Sequence, residues 1–384
     1  MTNSRTVDIL ADLVAFDTTS RNSNLELMKY VGDYLSGVGI VSRLVLNQTG
    51  DKANLWATIG PETDGGIVLS GHTDCVPVDD QAWTSDPFTL VERGGLLYGR
   101  GTADMKGFLA SVLAMVPALE QDLPRRPIHL AFSYDEEIGC VGVRSLLEDL
   151  KERRLRPGFC VVGEPTSMQV VTGHKGGRAY RCHVTGLAAH SSFAPHGVNA
   201  IECAAQVIVF IRGLADELAI GPHDPDFDVT HSTISTGLIE GGTAINIVPD
   251  RCKFVFEFRN LIEVDQESIF SRIEAYALER LLPSMRRAHP DATIRFEPLY
   301  EYPAHAIAAE DPLVTRIKGV VGRNDHSKVA FGAEAGLFLR ELGLPSVLCG
   351  PGSITQAHKP DEFVPRSDLD ACDAFLLRLC RGGN

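Results

Sequence analysis

The stretch GIVLSGHTD, residues 66–74, decides how the rest of the chain is read. An apolar run without polar alternation is the pattern of a strand buried on both faces, as in a parallel sheet covered by helices. This run stops at Gly71-His72-Thr73-Asp74, two side chains able to handle metals or protons one residue apart. Three other apolar runs end in the same manner. PIHLAFSY (127–134) leads into Asp135-Glu136-Glu137, and GFCVV (158–162) into Gly163-Glu164-Pro165. PSVLC (345–349) leads into Gly350-Pro351-Gly352-Ser353, with His358 shortly beyond. In open α/β sheets, ligands bind in the crevice past the carboxyl ends of the strands. Asp104, in GRGTADMKG (99–107), adds a further acidic position on a loop that opens a helix.

Outward from these runs, helical and strand patterns alternate. Spacing predicts helices over 6–16, 24–37, 107–120, 144–152, 333–342 and 367–381, and a further strand over 55–59. Strand–helix alternation implies crossover units, hence an α/β domain with a mostly parallel sheet. The middle of the chain differs. Strands over 178–185, 233–237, 252–259 and 293–299, with helices over 199–218 and 266–281, follow the strand–helix–strand–strand–helix–strand order of ferredoxin-like units. The expected organisation is a discontinuous α/β domain, residues 1–177 and 301–384, carrying an inserted α+β domain at 178–300.

Composition narrows the function. Of 384 residues, 36 are Lys or Arg against 50 Asp or Glu, leaving a formal charge of −14. That balance argues against nucleic-acid binding, which needs a basic surface, and against attraction to anionic membranes. Solubility alone also accounts for it. The longest uncharged apolar runs, such as 107–119, fall short of the ~18 residues of a membrane span. No basic segment followed by an apolar one opens the sequence, so no signal peptide is expected. Nine cysteines without a CxxC pair read as reduced thiols of a cytoplasmic protein, not as a disulfide framework or a cysteine zinc site.

Each acid or histidine taken singly has a bland reading: a surface histidine, a solvated acidic turn, a helix start. Together in one crevice, two histidines and four carboxylates would repel unless cations lay among them. Imidazole with carboxylate suits zinc, with cobalt or manganese as substitutes. The His72-x-Asp74 spacing suits a carboxylate that accepts the outward imidazole N–H and fixes its tautomer. Gly99-x-Gly101-x-x-Asp104 imitates a dinucleotide loop, but Asp stands where the third glycine belongs. No GxxxxGK[ST], HExxH or GxSxG motif occurs.

The motifs GHTDCVPV (71–78), GRGTADMKG (99–107), SYDEEIG (133–139), VVGEPT (161–166) and CGPGSITQAHKPDEFV (349–364) resemble, in order, those of the dinuclear zinc amidohydrolase and metallopeptidase family. The resemblance covers nearly the whole chain. It implies two zinc ions, one held by His72 and Glu164 and the other by Glu137 and His358, with Asp104 bridging. It further implies Asp74 as the residue orienting His72, and Glu136 as general base. The 178–300 domain becomes a lid and dimerisation domain, in which His190 acts across a homodimer. Asn246 and Arg259 match positions that hold the substrate's carboxylate. His190 could equally be a turn histidine, and Arg259 could pair with a neighbouring acid.

FGAEAGLF (331–338) and GPGSITQAHKPDE look most like the branch acting on N2-acetyl-L-ornithine. Branches acting on succinyl-diaminopimelate or acetylcitrulline are the alternatives, and a non-catalytic metal or amino-acid binder a remote one, since no catalytic position is lost. Glu334 is the expected partner of a substrate ammonium, against the reading of a solvated helix-start carboxylate. Cys75, where the family commonly has valine, reads as a packed thiol. His174 is left without a role.

Overall fold

The computed structural model describes residues 4–382, which fall into two units. The first runs up to His174 and resumes with His305–Lys328 and from Ala333 onward; the second comprises Lys175–Ala304 and Val329–Gly332.

In the first unit one sheet runs in the order Ser42–Leu46, Ala53–Ile59, Ile128–Ser133, Ile67–His72, Phe159–Val162, Ser346–Leu348, Val171–His174, His305–Ala306. Four adjacent strands, from Ile128–Ser133 to Ser346–Leu348, pair in parallel. These are the four apolar runs that end in acids or a glycine loop. Ile67 lies opposite both Ile128 and Phe159, and His72 opposite Ser133, so the strands finish at nearly one level. On both flanks the pairing is antiparallel, a departure from the mostly parallel sheet expected. At one edge a short turn joins Ser42–Leu46 to Ala53–Ile59, and a connection that short permits only antiparallel pairing. Ser42–Leu46 escaped prediction because it is largely exposed and carries no continuous apolar face.

The helix Gly107–Gln121 is apolar nearly all round and correspondingly buried. Thr102–Gln121 is the one segment among the described residues long and apolar enough to cross a membrane, and 89 % of it is buried inside the fold, as in a core helix. It packs so closely that a Cβ at Gly163 would lie 2.0 Å from the Phe108 ring. The residue before Glu164 must therefore be glycine if that strand end is to sit over the helix.

The second unit is a four-stranded antiparallel sheet, ordered Thr233–Gly241, Arg251–Asn260, Gly176–Thr185, Thr293–Tyr302. Arg251–Asn260 alternates cleanly, with Cys252, Phe254, Phe256 and Phe258 buried. That is the signature of a sheet covered on one face. The cover is Ala200–Ala219 together with the helical stretch from Gln266 to Ala288. Asn199 starts the first helix by accepting from the backbone N–H groups of Ile201 and Glu202.

His129, on the central strand Ile128–Ser133, is buried, stacked on Trp56 with ring centroids 4.8 Å apart and bonded to Thr58 at 3.0 Å. Burial pushes its pKa down to about 4. The unfolded chain therefore takes up this proton at an ordinary pH near 6.5 and the folded chain does not, so stability falls as pH drops through that interval. In urea titrations at about pH 7 and about pH 4.5, His129→Gln should lose less stability than the unsubstituted protein, by on the order of 2 kcal/mol. Equal losses would mean that His129 is not held neutral in the fold.

Candidate metal centre

The four parallel strands deliver their terminal side chains to one place. His72 and Glu164 are almost fully buried, and with Asp104 they present one ligand atom each, all within 4.8 Å of one another. Asp104, Glu137 and His358 form a second such group. Asp104 belongs to both: Oδ1 lies 3.0 Å from His72 Nε2, and Oδ2 lies 3.4 Å from His358 Nε2. Glu137 Oε2 is 3.1 Å from the same His358 nitrogen.

The electrostatics are those of a crowded acidic pocket. Burial, with Glu136 and Asp104 close by, pushes the Glu164 carboxyl well above its ordinary range. Burial and Asp104 raise Glu137 to about 7. Glu136 is also raised, chiefly by burial and by the Glu137 and Asp104 charges, although His72 counteracts. Burial alone would lower His72, but its bonds to Asp104 and Asp74 outweigh this and raise it. Hydrogen bonds to Asp104 and Glu137 lift His358 to about 10. Glu137 Oε1 and Glu164 Oε1 are buried with no hydrogen-bond partner. Orphaned acceptors of this kind are costly. Nitrogen and oxygen donors without a thiolate fit divalent cations, which would satisfy both atoms and offset the repulsion.

Supporting residues set this geometry. His72 Nδ1 donates to the backbone carbonyl of Asp74 at 2.9 Å, which turns Nε2 toward Asp104. The Asp74 carboxylate is farther from that nitrogen, at 3.5 Å. It accepts instead from the backbone N–H of Glu136 at 3.1 Å, that of Glu137 at 3.3 Å, and the Ser20 hydroxyl at 2.8 Å. Asp74 therefore faces His72 through its main-chain carbonyl, with its carboxylate close behind, and its side chain also anchors the Glu136–Glu137 turn. Lys52, 2.5 Å from Asp135, secures the start of that turn, where Asp135 adopts a φ of 53°.

Glu362 was not singled out from the sequence. Its buried carboxylate accepts from the backbone N–H groups of Gly101, Ala103 and Asp104 at 3.0, 2.9 and 3.0 Å, and from Arg100 Nη1 at 2.7 Å. It therefore organises the loop that presents Asp104. Both Arg100 and Glu362 sit within motifs already quoted, and the odds of burying a full ion pair there were the missed signal.

Glu334 is not the solvated helix-start carboxylate of the alternative reading. It is 1 % exposed, and its two oxygens accept from Ser133 Oγ at 2.5 Å and Ser70 Oγ at 3.1 Å. It ties together the ends of two parallel strands beneath His72 and Glu136. His174 is buried and accepts from the backbone N–H of Gly336 at 3.1 Å. Cys75 is fully buried, and burial raises its thiol to about 11, as befits a packed core residue.

His190, Asn246 and Arg259 belong to the second unit. Exposed His190 accepts from the Ser192 backbone N–H, and the neighbouring Ser191 N–H donates to the Asn246 carbonyl at 2.9 Å. Arg259 donates to Tyr302 Oη, and to Glu257 at 3.1 Å.

Two histidine–carboxylate groups sharing one aspartate at the carboxyl ends of parallel strands are a donor set that could hold two divalent cations, as a metal-dependent hydrolase requires. Residues 68–382 match the profile of peptidase family M20/M25/M40, and the chain belongs to that family. It is 35% identical over 369 residues to a protein described as acetylornithine deacetylase from Edwardsiella ictaluri, covering 95% of this chain and 92% of that one. It is 32% identical over 364 residues to one of the same description from Aliivibrio fischeri, covering 94% and 93%. In fold it is similar to an M20 family metallo-carboxypeptidase from Sulfolobus solfataricus, at 20% identity and a TM-score of 0.79, covering 98% of each chain. It is also similar to a dinuclear metal-binding peptidase of the M20 family from Bacillus subtilis, at 15% identity and a TM-score of 0.67, covering 98% of this chain and 97% of that one.

The Glu362 arrangement makes a prediction separate from activity. Glu362→Gln keeps the shape but removes the charge facing Arg100 and weakens three backbone bonds. Competition against a metal chelator should show roughly ten- to hundredfold weaker metal binding, with the far-ultraviolet circular dichroism unchanged. Unchanged metal affinity would mean that the Asp104 loop holds its shape without that carboxylate.

Proposed function

We propose that the chain hydrolyses the acetyl amide of N2-acetyl-L-ornithine, releasing acetate and L-ornithine, with two zinc ions at the centre described above. The observation that carries this reading is Asp104, with one oxygen toward His72 and the other toward His358, beside the anchored Glu136 turn. The substrate assignment is supported by the shared description of the relatives that align over nearly the full chain. His72 and Glu164 would hold one ion, Glu137 and His358 the other, and Asp104 both.

Bound zinc would supply Lewis acidity toward the acetyl oxygen and make a neighbouring water easier to deprotonate. Glu136 supplies the base. Its backbone N–H is pinned by Asp74, and one carboxylate oxygen lies 3.3 Å from Cys140 Sγ, so the side chain is held at the mouth of its turn. It takes a proton from water as the new C–O bond forms. It then returns that proton to the amide nitrogen as the C–N bond breaks, leaving acetate and a free amine.

For the second unit we adopt the roles implied by the family resemblance. Arg259 and Asn246 bind the substrate α-carboxylate, the guanidinium suiting a bidentate pair. His190 of one copy donates to the oxyanion formed in the other, in a homodimer. An exposed edge strand, Thr233–Gly241, with Leu238 and Ile239 turned to solvent, supports such pairing, because long apolar edges are otherwise prone to unwanted association. All nine cysteines are buried free thiols, which supports a reducing, cytoplasmic setting. The ornithine product supports a place in arginine biosynthesis.

The test is acetate release by zinc-loaded protein from acetylornithine, acetylcitrulline and neutral acetyl-amino acids, alongside turnover of succinyl-diaminopimelate. Acetylornithine should be preferred, and a preference for the succinyl substrate would overturn the assignment. Glu136→Gln should keep its metal and lose on the order of 100- to 10,000-fold in rate. A variant that lost metal and fold as well would make Glu136 structural.

A further inference from the structure

At the opposite end of the parallel strands lies a cavity of about 260 Å³ that the proposed reaction does not use. Its floor is Ile67, Ile128 and Phe159, the residues at which three of the four parallel strands begin. Four arginines line it: Arg125, Arg126, Arg316 and Arg381. No aspartate or glutamate does so among the described residues.

That composition is unusual for this chain, in which acids outnumber bases 50 to 36. Some arginines elsewhere are neutralised locally, as Arg43 is by Asp149 and Arg323 by Asp325. The four at the cavity form no ion pair among the described residues. Arg316 donates only to the Gly382 carbonyl at 3.3 Å, and Arg381 only to the Ala118 carbonyl at 3.4 Å. Like charges lining one cavity with no acid among the described residues favour an anion there. Guanidinium forks match carboxylate and phosphate oxygens.

The apolar floor adds a second requirement. The Arg316 guanidinium lies 5.3 Å from the Phe159 ring centroid, placing a cationic plane and an aromatic ring on the same wall. A cavity of roughly 150 Å³ already accepts benzene, so this one has room for a ring with an acidic group attached. Inorganic phosphate alone would leave the apolar floor uncovered.

We infer that this cavity binds a small organic anion, one that carries a phosphate or carboxylate group beside a flat apolar portion. The arginines hold the acidic group, and the Ile67, Ile128 and Phe159 floor takes the apolar part. Because the floor residues begin the strands that end at the metal centre, such a ligand would be separated from the substrate by the full length of the sheet.

Isothermal titration of the zinc-loaded full chain with two probes, phenyl phosphate and phthalate, tests this. At least one should bind. Arg126→Glu and Arg381→Glu, both at exposed positions, should each weaken that binding roughly ten- to hundredfold, while Glu136→Gln leaves it unchanged. Binding of phenyl phosphate alone identifies a phosphate ester as the ligand chemistry, and binding of phthalate alone a carboxylate. Two results overturn the inference: neither probe binds, or the arginine variants bind as tightly as the unsubstituted chain.

Discussion

Asp104 is surrounded by charge that it cannot balance alone. Within one crevice the fold gathers Asp104, Glu136, Glu137 and Glu164, all largely withdrawn from water, with His72 and His358 opposing them. Burying carboxylates costs several kcal/mol each unless they are paired. Much of the first unit can be understood as the framework that tolerates this cost. The strands end at one level, Gly163 allows the Glu164 strand to lie against Phe108, and Glu362 clamps the Asp104 loop through three backbone N–H groups. Cations are what make that arrangement favourable.

The supporting bonds are divided between main chain and side chain in a way that explains their rigidity. The Asp74 carbonyl fixes the His72 tautomer, and the Asp74 carboxylate fixes the turn carrying Glu136 and Glu137. A single residue thus couples His72 to the turn of Glu136, the proposed metal ligand and the proposed base. Glu334 couples the same two strands from below, through Ser70 and Ser133. Loss of either carboxylate would be felt at both strand ends together.

The parallel strands and their terminal acids were legible because periodicity and position carried both signals at once: a non-alternating apolar run, then a ligand. His72, Asp104, Glu137, Glu164 and His358 each stand where such a run or a glycine loop stops. What was illegible depends on partners distant in sequence. Glu362 and Arg100 lie 262 positions apart, and Ser70 and Glu334 lie 264 apart, so no local pattern could pair them. The solvated alternative for Glu334 failed for that reason, since a helix-start glutamate looks solvated until its two serine partners are known. Ser42–Leu46 was missed because it is largely exposed, and Val171–His174 because a buried run of four residues is too short to show a period. The helix Pro312–Val321, opened by Asp311 accepting from the Leu313 N–H, escaped notice although its cap was readable.

Anomalous diffraction from crystals of the zinc-loaded protein would probe the shared role of Asp104 most directly. Two zinc peaks per chain are expected, one touching His72 and Glu164, the other Glu137 and His358, with an Asp104 oxygen on each. A single peak, or two peaks of which only one contacts Asp104, would contradict this account of the centre.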